Sequence, residues 1–359
     1  MTMTVRAAPT VDAHSDLLMD VARRRLLGER RVLARRHLPA LRAGGVTVQF
    51  LTVGGDFPMF AGDFGGIDYL RQSLEILDAI HCEHEEAPAE FCLVRSKGDV
   101  DTLAESDEQV GFVLHWEGMR PAESLSTLRL AWRLGLRSAG LSWGETSAAA
   151  DGSGSDRDAG LTPYGRSVVE EMDRLGMVVD VSHMADRSVA EVCALSRGPV
   201  VASHTNARTV FDHPRNLPDS LLVEIARTGG VVGVCAYPVM LTRDRRPEID
   251  DLVRHIDYLC ELIGPRAVGI GGDFTADVAE LWCASAHMHR YHHDMARDFP
   301  VGLESPGDLG NLRDALDRRG FDKADVAAIM GGNFLRVLMQ RLPDIGVPQV
   351  VIAAKGAER

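Results

Sequence analysis

No run of apolar residues in this 359-residue chain is long enough to span a bilayer, which takes about 20 of them, so no membrane-embedded segment is expected. The opening stretch MTMTVRAAPTVDAHSD lacks the apolar centre of a secretory signal, and the C-terminus lacks an anchor pattern. A cytoplasmic protein is therefore expected. There is no Lys/Arg stripe interleaved with aromatics. With 39 Lys and Arg against 52 Asp and Glu, the formal net charge of −13 disfavours nucleic acid or anionic membrane as a partner. The six cysteines (Cys82, Cys92, Cys193, Cys235, Cys260 and Cys283) form no CxxC pair. Cys193 and Cys235 fall on predicted core faces, which suits reduced thiols in a cytosol; Cys82 and Cys92 could pair in a secreted protein, but nothing else points there.

What is present points to a large core. Hydrophobic residues make up 45% of the chain, and 35 glycines suit many tight connections. The length allows one large α/β barrel or two ordinary domains. No linker or shift in composition divides the chain, which favours a single domain over residues 1–345 with a tail at 346–359.

The pattern is clearest from Leu175 to Asn206, LGMVVDVSHMADRSVAEVCALSRGPVVASHTN. The apolar run Met177 to Val181 reads as a buried strand ending in Ser182 and His183. Asp186 then looks like the N-cap of a helix with Val189, Val192, Cys193 and Leu195 on one side. Gly198 and Pro199 stop it, and a second run, Val200 to Ala202, ends in Ser203 and His204. A strand–helix–strand unit makes the strands parallel, so both imidazoles should emerge at one edge of the sheet. Two neutral imidazoles on one rim suit a transition metal.

The same alternation runs the length of the chain. Strands are predicted at Pro9–Ala13, Val46–Val53, Val110–Leu114, Leu136–Leu141, Val231–Ala236 and Ala267–Gly271, besides the two above. Between most of them lie helical patterns, among them Leu17 to Leu41 and Ile67 to His84, the second with Leu70, Leu74, Leu77 and Ile80 on one face. Phe91 to Arg95 looks like an additional short strand, and Asn333 to Arg341 like a closing helix. Eight apolar strands alternating with helices predict a (β/α)8 TIM-type barrel. The segment from Ala284 to Pro300 carries His287, His289, His292 and His293 and reads as a solvated loop or substrate lid, with a metal role as the alternative.

Barrel enzymes carry their chemistry at the C-terminal ends of the strands. Those positions hold His14 and Asp16 after the first strand, Glu117 after the third, His183 after the fifth, His204 after the sixth and Asp273 after the eighth. Three histidines and three carboxylates suit a pair of divalent cations such as zinc. In His14-x-Asp16 both side chains leave on one side. Glu117 can bridge two metals through its two oxygens, with His183 and His204 completing the second site. Two cations roughly 3.5–4 Å apart lower the pKa of a shared water toward about 7, and Asp273 is then free to shuttle its proton to a leaving nitrogen. Each residue alone has a plainer reading: Asp273 could cap a helix, and Glu117 could pair with a cation.

The chain resembles the renal (membrane) dipeptidase family of zinc metallopeptidases, within the amidohydrolase-like barrels. The resemblance rests on VDAHSD, LRAGGVTVQFLTV, WEG, GLTPYGRSVVEEMDRLGMVVDVSH, PVVASHTNAR, PRNLPD, GGVVGVCAYP, VGIGGDF and MGGNFLRVL, in order over nearly the whole length. It implies two zinc ions held by His14, Asp16, bridging Glu117, His183 and His204, and a catalytic acid/base at Asp273. It also implies that Arg215 pairs with a substrate carboxylate, a task suited to a guanidinium fork, and that Tyr237 faces the substrate. The family's relatives are commonly dimers, so a homodimer is an expectation of the same kind.

Two departures stand out. Where the family has a histidine after the fourth strand that contacts the reacting carbonyl, this chain has Trp143, in LSWGETS. Indole donates one hydrogen bond but neither carries charge nor binds metal. The family's GDFDG appears as GDFTA, with Thr275 in place of the second acid and Asp273 kept. The leading expectation is a dinuclear-zinc dipeptidase cleaving short dipeptides through a metal-bridging hydroxide. Trp143 leaves open an amide, lactam or thioether-conjugate hydrolase that tailors a metabolite, and a catalytically silent binding barrel is the third alternative.

Overall fold

The computed structural model describes residues 8–56, 68–105, 109–276, 278 and 298–344. The His287–His293 cluster, Cys283 and the 346–359 tail lie outside the described residues. Eight parallel strands form a nearly closed barrel in chain order: β1 (Thr10–Asp12), β2 (Val46–Gly55), β4 (Val110–Glu117), β5 (Leu136–Gly140), β6 (Val178–Asp180), β7 (Val200–Thr205), β8 (Val231–Val234) and β9 (Val268–Ile270). The short run at Phe91 is indeed an extra strand, β3 (Phe91–Leu93), which pairs with β4 off the barrel path. The seam between last and first strands is drawn together by two hydrogen bonds: Ala13 N donates to Ile270 O at 2.9 Å, and Gly272 N donates to the Asp12 carboxylate at 2.7 Å.

The strands are near-continuous apolar runs because both faces are covered, by helices outside and by side chains within. Inside, Val11, Val48, Phe50, Val113, Val178, Val201 and Val231 share one cluster with Phe334 and Leu338 of the closing helix, α12 (Asn333–Arg341). Phe334 fits beneath Gly269 and Gly233: a Cβ at Gly269 would lie 2.4 Å from its ring. One end of the barrel is thus filled with hydrocarbon, leaving the carboxyl ends of the strands to carry polar groups. No helix among the described residues is long and apolar enough to cross a membrane.

Four local expectations are corrected. The helix expected over Leu17–Leu41 is broken into α1 (Leu18–Leu26), a π-helical turn (Leu33–His37) and α2 (Leu38–Ala43), with left-handed backbone at Gly28 and Arg31. The break is stabilised from α3 (Tyr69–Glu86), where Glu83 accepts from Leu33 N (2.8 Å) and Glu86 from Arg31 N (2.9 Å), while Arg25 binds both acids. The buried stripe of α3 runs through Ile76, Leu77 and Ile80, and Leu74 is 46% exposed. Asp186 is not an N-cap: Ala185 occupies that position, and Asp186 begins α7 (Asp186–Leu195) and takes both guanidinium nitrogens of Arg208 at 2.8 and 2.9 Å. Finally, β4 and β7 run on through Glu117 and His204, so these two residues sit on the strands rather than beyond them.

Candidate metal centre and active site

The carboxyl mouth gathers the side chains expected from the strand ends. His14 Nε2 lies 3.5 Å from Glu117, 3.8 Å from Asp16 and 3.7 Å from Asp273. The same Glu117 oxygen that faces His14, Oε1, is 2.9 Å from His183 Nε2 and 3.4 Å from His204 Nε2, and the two Nε2 atoms are 2.8 Å apart. Two groups of potential ligand atoms, His14 with Glu117 and His204, and His14 with Asp16 and Asp273, each fall within 4.8 Å of one another. Glu117 is the carboxylate that all three imidazoles approach.

Backbone geometry contributes to this convergence. His183 and Asp273 have φ of 68° and 54°, and among described non-glycine residues only Arg31 shares that sign. A non-glycine residue in the left-handed region costs energy and persists only where its surroundings over-determine it. His183 and Asp273 each stand three residues past the end of their strands, at Asp180 and Ile270, and there His183 meets Glu117 and Asp273 meets His14. Gly271 precedes this turn without a side chain, since a Cβ there would sit 1.9 Å from Ser203 O.

The electrostatics of the centre call for positive charge. Burial pushes Glu117 well above the ordinary carboxylate range, against the pull of His14, and pushes Asp273 up to about 7. Burial lowers His14, but Glu117, Asp16 and Asp273 outweigh it and raise the imidazole to about 10. His204 is driven far down, by burial first and then by His14 and His183. Asp16 Oδ1 is buried and has no hydrogen-bond partner. Clustered imidazoles and carboxylates with an orphaned oxygen are the donor set of a divalent cation with mixed N/O preference, and zinc fits it.

Around this centre lie the residues expected to meet substrate. Arg215 is partly buried, donates to His204 O at 3.4 Å, and has its pKa lowered by burial. Tyr237 is buried at the end of β8, edge-on to Phe299 at 6.1 Å. Trp143 tilts against His183, ring centroids 5.6 Å apart. Outside it, the loops after β5 to β8 line a cleft of about 500 Å³ that includes Arg157, Arg208, Pro214 and Arg243.

Four residues at the mouth escaped the sequence reading. Asp12 accepts from Gly272 N and from Gln49 Nε2 (2.8 Å), holding the strand that precedes Asp273. Asp180 binds the turn between β6 and His183. Asp56, raised to about 6 by burial, accepts from Arg120 N (2.6 Å) and Trp143 N (3.2 Å), so it fixes the loops after β4 and β5. The Cys235 thiol donates to Asp273 at 3.9 Å. The signal for the three acids was an isolated Asp within or directly after an apolar run, where a buried carboxylate needs donors from elsewhere.

A parallel barrel that assembles three histidines and three carboxylates at its carboxyl mouth is a metal-dependent hydrolase. The sequence profile of the membrane dipeptidase family (peptidase family M19) matches residues 2–285. The chain belongs to that family, and it is a peptide-bond hydrolase of the metal-dependent kind. It is 32% identical over 352 residues to an uncharacterized dipeptidase of Schizosaccharomyces pombe, with 92% of this chain and 80% of the relative covered. To dipeptidase 3 of Rattus norvegicus it is 30% identical over 349 residues, covering 94% of this chain and 66% of that one. The fold matches the solved dipeptidase AC, a metallopeptidase of family M19, with a TM-score of 0.79, 25% identity, and 94% and 99% of the two chains covered. A metallopeptidase of Rhodobacter sphaeroides shares the fold at a TM-score of 0.79 and 24% identity, over 94% of this chain and all of that one.

Proposed function

We propose that this chain is a dinuclear zinc dipeptidase that hydrolyses the peptide bond of short dipeptides. The observation that carries the proposal is the convergence of His14, His183 and His204 on the single carboxylate of Glu117, with Asp16 and Asp273 3.8 and 3.7 Å from His14 Nε2. His14, Asp16 and Glu117 would hold one ion, and Glu117, His183 and His204 the other. When bound, the pair supplies a water activated near neutral pH and a positive clamp for the developing oxyanion.

The chain's own groups do the rest. Arg215, which donates to the backbone oxygen of His204, has a guanidinium fork that holds the terminal carboxylate of a dipeptide, setting the scissile bond in register. Asp273 exchanges a proton at its carboxylate, taking one up and returning it to the leaving nitrogen within one cycle. Tyr237, just past β8 and edge-on to Phe299, offers its ring and hydroxyl to the substrate.

The decisive experiment combines metal analysis with hydrolysis of a dipeptide library at neutral pH, with and without chelator. Two zinc per chain and chelator-sensitive turnover are expected. A zinc-replete protein inert toward a broad panel would overturn the proposal. Trp143 supports a second reading, in which the same centre hydrolyses an amide, lactam or thioether conjugate, because an indole stands where the family's carbonyl-contacting histidine is found.

A further inference from the structure

We infer that Asp180 and Ser203 are positioning residues for the metal centre: through one serine hydroxyl they hold His204 in its Nδ1–H form, so that the Nε2 lone pair faces Glu117 and His183. The inference deepens the proposed function, since it concerns how one ligand of that centre is kept ready. Asp180, the last residue of β6, accepts from Ser182 N at 3.0 Å and from Ser203 N at 2.9 Å through Oδ1, and from Ser203 Oγ at 2.5 Å through Oδ2. A carboxylate only accepts, so the hydrogen between those two oxygens is the serine's. A hydroxyl has one hydrogen. The 2.8 Å contact between Ser203 Oγ and His204 Nδ1 must therefore run from the ring nitrogen to the oxygen.

With Nδ1 protonated and the ring neutral, Nε2 carries the lone pair, 2.8 Å from His183 Nε2 and 3.4 Å from Glu117 Oε1. Ser182 Oγ accepts from His204 N at 3.1 Å and lies 3.2 Å from Ser203 Oγ, so the ligand's backbone is tied to the same acid through the two hydroxyls. His115 shields the other side of Asp180, with Nε2 3.6 Å from Oδ2 and Nδ1 3.0 Å from Ser138 Oγ. Asp180 and Ser203 are each 1% exposed and His204 is fully buried, so solvent does not compete for these bonds. Partners that orient a ligating histidine typically govern metal affinity by about 10–100-fold.

The test reverses the polarity of the chain of bonds without changing its shape. In Asp180→Asn the side-chain amide donates to Ser203 Oγ, the hydroxyl turns its hydrogen toward Nδ1, and His204 is driven to Nε2–H, which cannot ligate. Long-range 1H–15N spectra of the metal-free protein should show His204 as Nδ1–H in wild type and Nε2–H in the variant. Titration with Co2+ should show affinity for the second equivalent falling about 10–100-fold. The double variant Asp180→Asn/Ser203→Ala should bind Co2+ better than Asp180→Asn alone, because the inverted polarity no longer reaches the ring. A purely structural role predicts the double to be the worse.

An Nε2–H His204 in wild type, or unchanged Co2+ affinity in Asp180→Asn, overturns the inference. Should Asp180→Asn not fold, Ser203→Thr against Ser203→Ala decides it: the hydroxyl-bearing variant keeps the affinity and the alanine loses it, and equal losses overturn the inference. A wild-type chain that takes up no cobalt sinks the dinuclear proposal, while the tautomer in the metal-free protein still judges the relay.

Discussion

Trp143 is the residue whose replacement says most about substrate. Its backbone N–H is held by Asp56 and its ring tilts over His183, so the loop is fixed from below while the indole faces the centre. An indole N–H donates once and cannot become charged, whereas one good oxyanion donor is worth about 10²–10³ in rate. Trp143→His should fold, because the Asp56 bond uses only the backbone. If dipeptides are the natural substrates, the variant should raise kcat on them by at least about 10-fold with KM little changed. Steady-state kinetics on the library of dipeptides measures this, and no gain would favour the amide or lactam reading.

At the scale of the element, the mouth depends on how strand ends are tied to one another. Asp12 is the clearest case: it sits on β1, and its carboxylate receives Gly272 N from beyond β9 and Gln49 from β2. Asp12→Ala leaves both donors buried without an acceptor, costing about 2–4 kcal/mol, and it loosens the turn that presents Asp273. Urea denaturation of the metal-free protein should show the midpoint falling with an unchanged slope, and kcat should fall more than KM rises. A stable variant with full activity would show that the Gly272 and Gln49 bonds to Asp12 do not hold that turn. Glu171 illustrates a different tie, between neighbouring helices: from α6 (Pro163–Leu175) it accepts from Arg174 in its own helix and from Arg129 in α5 (Leu125–Arg133).

At the scale of the whole molecule, two levers act on stability. The first is metal. Cations that bind only the folded barrel stabilise it by mass action, about 4 kcal/mol per site at 1,000 times Kd, so stripping them should lower Tm by on the order of 10 °C. Calorimetry before and after chelation reads this directly, and readdition of zinc should restore it; an unmoved Tm would mean that the centre is not loaded. The second is acid. Arg174 and Arg129 hold Glu171 down at about 2, so its contribution is complete above the ordinary glutamate range and is lost as pH falls toward 2. Stability of the metal-free protein should therefore decline between about pH 4.5 and 2, and Glu171→Gln should make that decline shallower in denaturant titrations.

The barrel and the side chains that meet at its carboxyl mouth were legible in the residues alone. Strands covered on both faces must be apolar throughout, so Val46, Val110, Val200 and Val231 each announce a run, and a His, Asp or Glu at the end of such a run is conspicuous. Local pattern carried that much because periodicity records burial along a few successive residues. It could not show what the tertiary structure decided: that Asp12 meets Gly272 from 260 residues away, that Asp180 reaches Ser203 23 residues on, or that Glu83 and Glu86 break the first helix from another one. Nor could it show the left-handed turns at His183 and Asp273. A buried carboxylate is satisfied by whichever donors the closed barrel brings to it, and those are chosen by the fold rather than by neighbours in the chain.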